Sequence, residues 1–426
     1  MMAVKFTNCS RDPRLVPNCA SKQPSSPRDR RQPAANRRAA MSTLPRPQTH
    51  SHKTWRSLCP RPAPHSRAHS RSPHRTVCQS AASDEARVKF NDGTDTAFCP
   101  ILNGCWQLAG GHGQEVFDHI NEKLTAHAEA GFTTFDTADI YGPSESILGK
   151  FQEQWAASGR PPLQLFTKYV VFRGAPSSQD VSSAVQRSMD ALRVKQLDLV
   201  QMHWWDYAVP GMEDTALALA DQRAKGRIKS VGVTNIDTPR LEKILDAGVP
   251  VVSNQVQFSL LDRRPLNGMI QLCRERGIKL LTYGSLGGGL LSDRYTEEPK
   301  KGLLGNPRYS NIDLNTSSLK MYWRVADTYG GQDWYRRLLL ALRGVADKHN
   351  VSVANVALKW VMEGGQRKGS GVVHPIVGLR NTSHILDNAR VFGLVLDQED
   401  FDAINGVLKE AAGPPGDIYS FERGYV

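Results

Sequence analysis

The feature of this sequence that most constrains its fold is a regular alternation that begins near Phe98. Eight short apolar runs read as strands: "FCPILNGCW", "TTFDTAD", "LQLFTKY", "LDLVQMHW", "IKSVGVTN", "VVSNQVQF", "IKLLTYGS" and "VVHPIVG". Between them lie segments such as "DVSSAVQRSMDALRV", "LALADQRAKGRI" and "RLEKILDAG". Their apolar residues recur at spacings of three and four, with charges opposite, which is the period of an amphipathic helix. Several runs are apolar at successive positions, as expected for strands buried on both faces. Such alternation predicts a parallel sheet covered by helices.

An open, doubly wound dinucleotide fold should show G-x-G-x-x-G after its first strand, and no such spacing occurs. Eight strand–helix units in about 300 residues instead predict a closed (β/α)8 TIM barrel. It is expected to span residues 84–426. An extra helix is expected in "DQEDFDAINGVLKEA", with Asp397 as its N-cap and Asp400 in its first turn. The loop between the seventh strand and its helix is long. Roughly fifty residues separate "LLTYGS" from "RRLLLALRGVADKHN", where about 2–6 is usual. Its aromatic residues predict a folded excursion.

The net charge of +12 sits almost wholly before Ser83, where sixteen Lys or Arg face two acids, Asp12 and Asp29. The remainder is close to −2, so a basic nucleic-acid-binding face is not expected. Residues 1–83 are rich in Arg, Ser, Pro and Ala and lack any helical or strand period. Such a segment buries too little apolar surface to offset its ordering entropy and is expected to be disordered. Its composition is also that of an organelle transit peptide, and its proline content points to chloroplast ahead of mitochondrion. No run reaches the roughly 18 apolar residues of a membrane span. Cys99, Cys105 and Cys273 remain outside the presequence, without a C-x-x-C pair, so neither a disulfide framework nor a metal site is expected.

In such a barrel the chemistry lies at the C-terminal ends of the strands. Asp136 ends the second strand and Tyr141 follows it; Lys168 ends the third and His203 the fourth. Alone, each would read as a cap or an ion-pair partner. Together they form an acid–base set. A free phenol with a pKa near ~10 is poorly matched to neutral proton transfer. An ammonium about 4 Å away would favour phenolate by about 4 kcal/mol at an effective dielectric of ~20, about three pKa units. Asp136 would hold Lys168 in place. Asp139, outside this set, reads as a loop cap. Trp204 and Trp205, beside His203, suggest an aromatic wall, although core packing explains one of them equally well. With Trp106 they are the expected substrate-pocket residues.

"FDTADIYG", "FTKY", "QMHWWDY", "GVTNIDTPRLEKIL", "NQVQ", "LLTYGSLGGGLL" and "IVGLRNTSHILDN" together resemble the aldo-keto reductase superfamily, in its plant-type chloroplast branch. The resemblance runs from about Asn103 to Val407. It implies an NADPH-dependent reductase of small aldehydes or ketones, with Tyr141 as general acid, Lys168 lowering its pKa, Asp136 as partner of Lys168, and His203 orienting the carbonyl. It further implies that Thr234, Asn235 and Gln255 bind the nicotinamide carboxamide and that Tyr283 stacks on its ring. Gly284, Leu286, Gly287 and Gly289 would approach the pyrophosphate. Many relatives have Ser at Gly284, and many NADPH-specific ones have Lys and Arg where this chain has Gly378 and His384. Arg380 is then the expected partner of a 2′-phosphate, Asn388 would contact adenine, and NADH is the alternative cofactor. The competing reading is a cofactor-binding regulatory or scaffold protein with little turnover. The oligomeric state is left open.

Overall fold

Eight parallel strands close on themselves into a barrel. In this computed structural model, residues 87–110, 116–172, 174–297, 314–367, 371–379 and 381–420 are described, and all of them fall in one compact unit. The presequence expected at residues 1–83, and Arg380, lie outside the described residues. An antiparallel pair, β1 (Val88–Lys89) and β2 (Ala97–Phe98), precedes the barrel. The barrel strands are β3 (Leu102–Gly104), β4 (Thr134–Asp136), β5 (Gln164–Val171), β6 (Leu197–Trp204), β7 (Ile228–Thr234), β8 (Val251–Gln257), β9 (Lys279–Tyr283) and β10 (Val373–Gly378). They neighbour one another in chain order, and β10 closes the ring on β3 with Ile376 opposite Leu102. Each of the eight apolar runs contributes one of them.

Helices α1 (Ile120–Glu129), α2 (Ser144–Ala157), α3 (Ser178–Leu192), α4 (Met212–Ala224), α5 (Thr238–Asp246) and α6 (Met269–Arg276) follow the first six barrel strands in turn. A capping box starts α3: the Ser177 hydroxyl accepts from Asp180 N–H and the Asp180 carboxylate accepts from Ser177 N–H. A cap of this kind is worth about 1 kcal/mol. Side chains alternate across each strand. On β6, Leu199 belongs to the barrel-floor cluster, whereas Val200, Met202 and Trp204 join the core between sheet and helices. The floor packs Phe90, which follows β1, and Phe98 of β2 against Leu102, Phe166, Leu199 and Leu281. One end of the barrel is thereby filled, and the other is left for chemistry.

The described part of the long connection after β9 does fold. It runs through short 3-10 turns at Gly287–Gly289 and Asp293–Tyr295 and then α7 (Ser317–Tyr329). Next come α8 (Gly331–His349) and α9 (Val353–Met362). The helix expected at "RRLLLALRGVADKHN" therefore starts earlier, at Gly331, because Trp334 and Tyr335 are buried on the same face as Leu338 and Leu342. Trp323 of α7 meets Tyr335 of α8 edge-on, with centroids 5.3 Å apart. After β10 come α10 (Ile385–Ala389) and α11 (Gln398–Leu408). A capping box of Asp397 and Asp400 starts α11. Among the described residues no helix is long and apolar enough to cross a membrane.

Candidate active site

At the open end of the barrel, Lys168 Nζ donates to Asp136 Oδ2 at 2.6 Å and to the Thr137 carbonyl at 2.8 Å. Both side chains are almost wholly buried, 3% exposed for Lys168 and 4% for Asp136. The second Asp136 oxygen, Oδ1, accepts from Gln201 Nε2 at 2.9 Å and from Gln255 Nε2 at 2.8 Å. Gln255 also donates to Gln201 Oε1 at 2.9 Å. A buried carboxylate with every oxygen engaged is the condition under which such an ion pair is tolerated. Gly232 makes room for this network: a Cβ there would lie 2.4 Å from Ser253 Oγ and 3.1 Å from Gln201 Cγ.

Tyr141 lies beside Lys168, whose Nζ is 5.2 Å from the phenol ring centroid. Burial raises the phenol above its ordinary pKa, the Lys168 charge pulls it down, and Asp136 and Cys105 push it up again. The net direction is upward. Lys168 therefore acts in the expected sense but does not prevail, because the cost of burying the phenolate outweighs its charge and Asp136 adds to that cost. Burial alone would depress the Lys168 ammonium, but the charges of Asp136 and Tyr141 and the hydrogen bond to Asp136 hold its pKa above the ordinary value. The resting state is thus a protonated phenol beside a charged ammonium. Asp139 accepts from Val170 N–H at 3.2 Å and ties the loop carrying Tyr141 to β5.

His203 faces the same opening from β6. Asn235 Nδ2 lies 3.4 Å from its Nε2, and Asn235 Oδ1 accepts from Tyr283 Oη at 2.9 Å. Asn235 sits at φ +54°, a left-handed conformation that Asn tolerates better than most residues. Tyr207 locks it there, donating to the Asn235 carbonyl at 2.7 Å and accepting from Asp237 N–H at 2.9 Å. One asparagine thus joins the ends of three strands.

The residues expected to hold a nicotinamide dinucleotide lie around this hub. Thr234 Oγ1 is buried with no hydrogen-bond partner among the described residues, as a ligand-facing hydroxyl would be. Gln255, by contrast, spends its amide N–H groups on Asp136 and Gln201. Past Tyr283 the backbone takes positive φ at Gly284, Gly287, Gly288 and Gly289, a turn that most side chains would strain. Leu286 lies within it, half-buried. Helix α7 lies on this turn: Tyr322 packs against Gly284, and Leu319 and Tyr322 approach Gly288. These features fit an extended phosphate-bearing ligand. At Gly378 a Cβ would lie 2.3 Å from Gln107 Nε2, so that position has no room for a longer side chain while Gln107 stays in place. His384 is exposed in the turn Thr382–His384 and Asn388 is half-buried on α10.

Aromatic rings wall the mouth. Trp106 meets Tyr141 edge-on at 4.9 Å, Trp205 lies 5.4 Å from His203, and Phe172 packs on Trp205 at 5.1 Å. The structure does not bring Trp204 to this wall. It is 1% exposed, packs in the core between sheet and helices, and donates from Nε1 to the Val209 carbonyl at 3.3 Å. Alternation along β6 sends it outward, so the core-packing alternative holds for Trp204. Gln201, Tyr207, Phe172, Tyr322 and Tyr419 are site residues that sequence reasoning missed. Gln201 had a signal, since it lies two residues before His203 and shares its face.

The sequence profile of the Aldo/keto reductase family matches residues 100–409. Over 331 residues the chain is 29% identical to "Pyridoxal reductase, chloroplastic" of Arabidopsis thaliana, covering 73% of this chain and 84% of that protein. Among solved structures it is similar to a glycerol dehydrogenase from Gluconobacter oxydans. The TM-score is 0.61 at 22% identity, over 79% of this chain and 98% of that one. It is also similar to an aldo/keto reductase from Klebsiella pneumoniae in complex with NADP and acetate. There the TM-score is 0.55 at 19% identity, over 78% and 97% of the two chains.

Proposed function

The chain belongs to the aldo/keto reductase family, and on that premise we propose that it reduces a small aldehyde or ketone, with NADPH supplying the hydride to the carbonyl carbon. The observation that carries this reading is the array Asp136–Lys168–Tyr141, in which a 2.6 Å, almost wholly buried ion pair places the Lys168 ammonium 5.2 Å from the Tyr141 ring centroid. Tyr141 Oη gives its proton to the carbonyl oxygen as that oxygen gains charge. The phenol is protonated at neutral pH, the state a general acid requires, and the Lys168 charge opposes the rise in pKa that burial imposes. Lys168 then stabilises the tyrosinate until solvent returns the proton. Asp136, held by Gln201 and Gln255, keeps Lys168 charged and aimed. His203 orients the carbonyl from the opposite wall.

Thr234, Asn235 and Tyr283 would hold the nicotinamide end, and the turn Gly284–Gly289 the phosphates. The NADP-bound Klebsiella pneumoniae relative supports this cofactor. The relative named as a pyridoxal reductase, together with the aromatic mouth, makes pyridoxal and other aromatic aldehydes the first carbonyls to test. The assay is NADPH absorbance across such a panel, run beside a cofactor titration. Turnover supports the reductase. Tight cofactor binding with no turnover on any carbonyl would instead favour a regulatory or scaffold role.

Residues 1–83 are the proposed chloroplast transit peptide and 84–426 the catalytic unit. The composition of the segment and the chloroplastic name of the relative support this. Fused to a reporter, residues 1–83 should carry it into plastids, and removing them should leave melting temperature and activity unchanged.

A further inference from the structure

The Asp136 carboxylate holds Lys168 with one oxygen and orders two amides with the other. Gln201 lies in the middle of β6, in register with Lys168 on β5 and Gly232 on β7, and is 0% exposed. Its Nε2 donates to Asp136 Oδ1 at 2.9 Å and reaches the Thr167 carbonyl at 3.5 Å. Gln255 Nε2 donates to the same Asp136 oxygen at 2.8 Å and to Gln201 Oε1 at 2.9 Å. As the anion of an ion pair, Asp136 only accepts, so both amides must turn their nitrogens towards it. Gln201 then offers its oxygen to the remaining N–H of Gln255. With both N–H groups spent, the Gln255 amide has only Oε1 left for a ligand, and that atom can only accept.

The neighbouring strand supplies the complement. Thr234 faces Gln255 in register across β7 and β8, and its buried hydroxyl has no partner among the described residues. A hydroxyl that can donate, beside an amide oxygen that can only accept, matches a primary carboxamide, which presents one oxygen and one NH2 group. We propose that Gln201 is a positioning residue for the cofactor: by giving one N–H to Asp136 and taking one from Gln255, it fixes the Gln255 amide with its oxygen towards the nicotinamide NH2. Without Gln201 the second Gln255 N–H is buried with no acceptor, a penalty that the amide escapes by turning. The carboxylate that aims Lys168 thereby also sets how the carboxamide is read. The proposal rests on the reading that Gln255 binds that carboxamide.

The experiment measures binding and not turnover. Wild type, Gln201→Met, Gln201→Asn, Gln255→Met and the double variant of Gln201→Met and Gln255→Met, all in the full chain, are titrated with NADP+ and with 3-acetylpyridine adenine dinucleotide phosphate. That analogue keeps the carbonyl oxygen and replaces NH2 with a methyl group. Met keeps the length of Gln without the amide. Asn keeps an amide too short to span Asp136 and Gln255 together, and it decides the matter if the Met variant does not fold. Wild type should prefer NADP+ by about tenfold, the cost of leaving the Gln255 oxygen without its donor. Gln201→Met and Gln201→Asn should lose about fivefold in NADP+ affinity while the Kd of the analogue holds, which brings the preference down to about twofold. The double variant should match Gln255→Met in this ratio, because a residue that acts through another adds nothing once the other is gone. Equal losses for both dinucleotides in the Gln201 variants would assign Gln201 a structural role alone and overturn the proposal. An unchanged preference in those variants would overturn it too, leaving the Gln255 reading intact. A wild type with no preference, or with no affinity for either dinucleotide, would overturn the Gln255 reading and the proposal with it.

Discussion

Gly284 and Tyr322 compete for one volume: a Cβ on Gly284 would lie 2.6 Å from Tyr322 Oη and 2.7 Å from its Cε1. Gly284 also holds φ +68°. The turn that follows Tyr283 and the helix α7, more than thirty residues later, are therefore built for each other. Gly284→Ala should destabilise by roughly 2 kcal/mol or more, combining overpacking with left-handed strain. Adding Tyr322→Ala should recover the packing share, giving a coupling of about 0.5–3 kcal/mol. Denaturant melts of the two singles and the double measure it, and additive losses would show that the two residues do not meet.

Tyr141→Phe keeps the ring against Trp106 and removes the proposed proton donor. With general acid catalysis typically worth about 10²–10⁴-fold, kcat should fall by at least about 10². NADPH affinity should hold, because the proposed cofactor contacts lie elsewhere. Retention of wild-type kcat, with hydride transfer shown to be rate-limiting, would refute the mechanism.

Lys168→Met leaves the Asp136 carboxylate buried without its cation. Breaking a buried pair costs about 3–5 kcal/mol, so the melting temperature should fall along with kcat. Adding Asp136→Asn should restore part of the stability and none of the activity. If the single variant melts like wild type, Asp136 is not the constrained anion that its 2.6 Å contact implies.

The alkaline limb tests the electrostatics. Tyr141 and Lys168 are both raised above their ordinary values of 10.0 and 10.5. A group raised in the folded state contributes stability that is complete below its unfolded pKa and is lost as pH rises through its folded one. Melting temperature should therefore show no loss from these groups up to about pH 10 and decline above it, less steeply in Tyr141→Phe. Reductase kcat should keep its protonated phenol over the same range. A Tyr141-dependent loss of kcat near pH 8 would mean that the Lys168 charge prevails over burial.

Cofactor preference is expected to rest on Arg380. A charge-assisted hydrogen bond is worth about 1.5–3 kcal/mol, so Arg380→Ala should weaken NADPH binding by about 10–100-fold and leave NADH nearly unaffected. Isothermal titration with both cofactors decides the matter: equal losses would remove Arg380 from the 2′-phosphate site.

The barrel was legible in the sequence because strand and helix periods are local, and a strand end is recognisable from the few residues around it. For the same reason Asp136 and His203 could be placed at strand ends before any contact was known, as could the N-cap Asp397; Lys168, expected to end its strand, instead lies inside β5, which runs on to Val171 because its pairing with β6 continues to Trp204. The direction of a side chain at a strand end was harder. Trp204 and Trp205 are adjacent letters, yet strand alternation sends the first into the core and leaves the second beside His203.

Contacts between distant segments were decided by tertiary structure. Gln201 and Gln255 reach Asp136 across 65 and 119 residues, Tyr322 fills the space over Gly284, and Tyr419 arrives at His203 from the far end of the chain. None of these has a period or spacing to read, because each depends on where the closed barrel brings independent loops. The Tyr141 pKa belongs with them. The sequence by itself determined that a phenol, an ammonium and a carboxylate would meet, but burial depends on everything packed around them, and burial sets the direction of the phenol's shift.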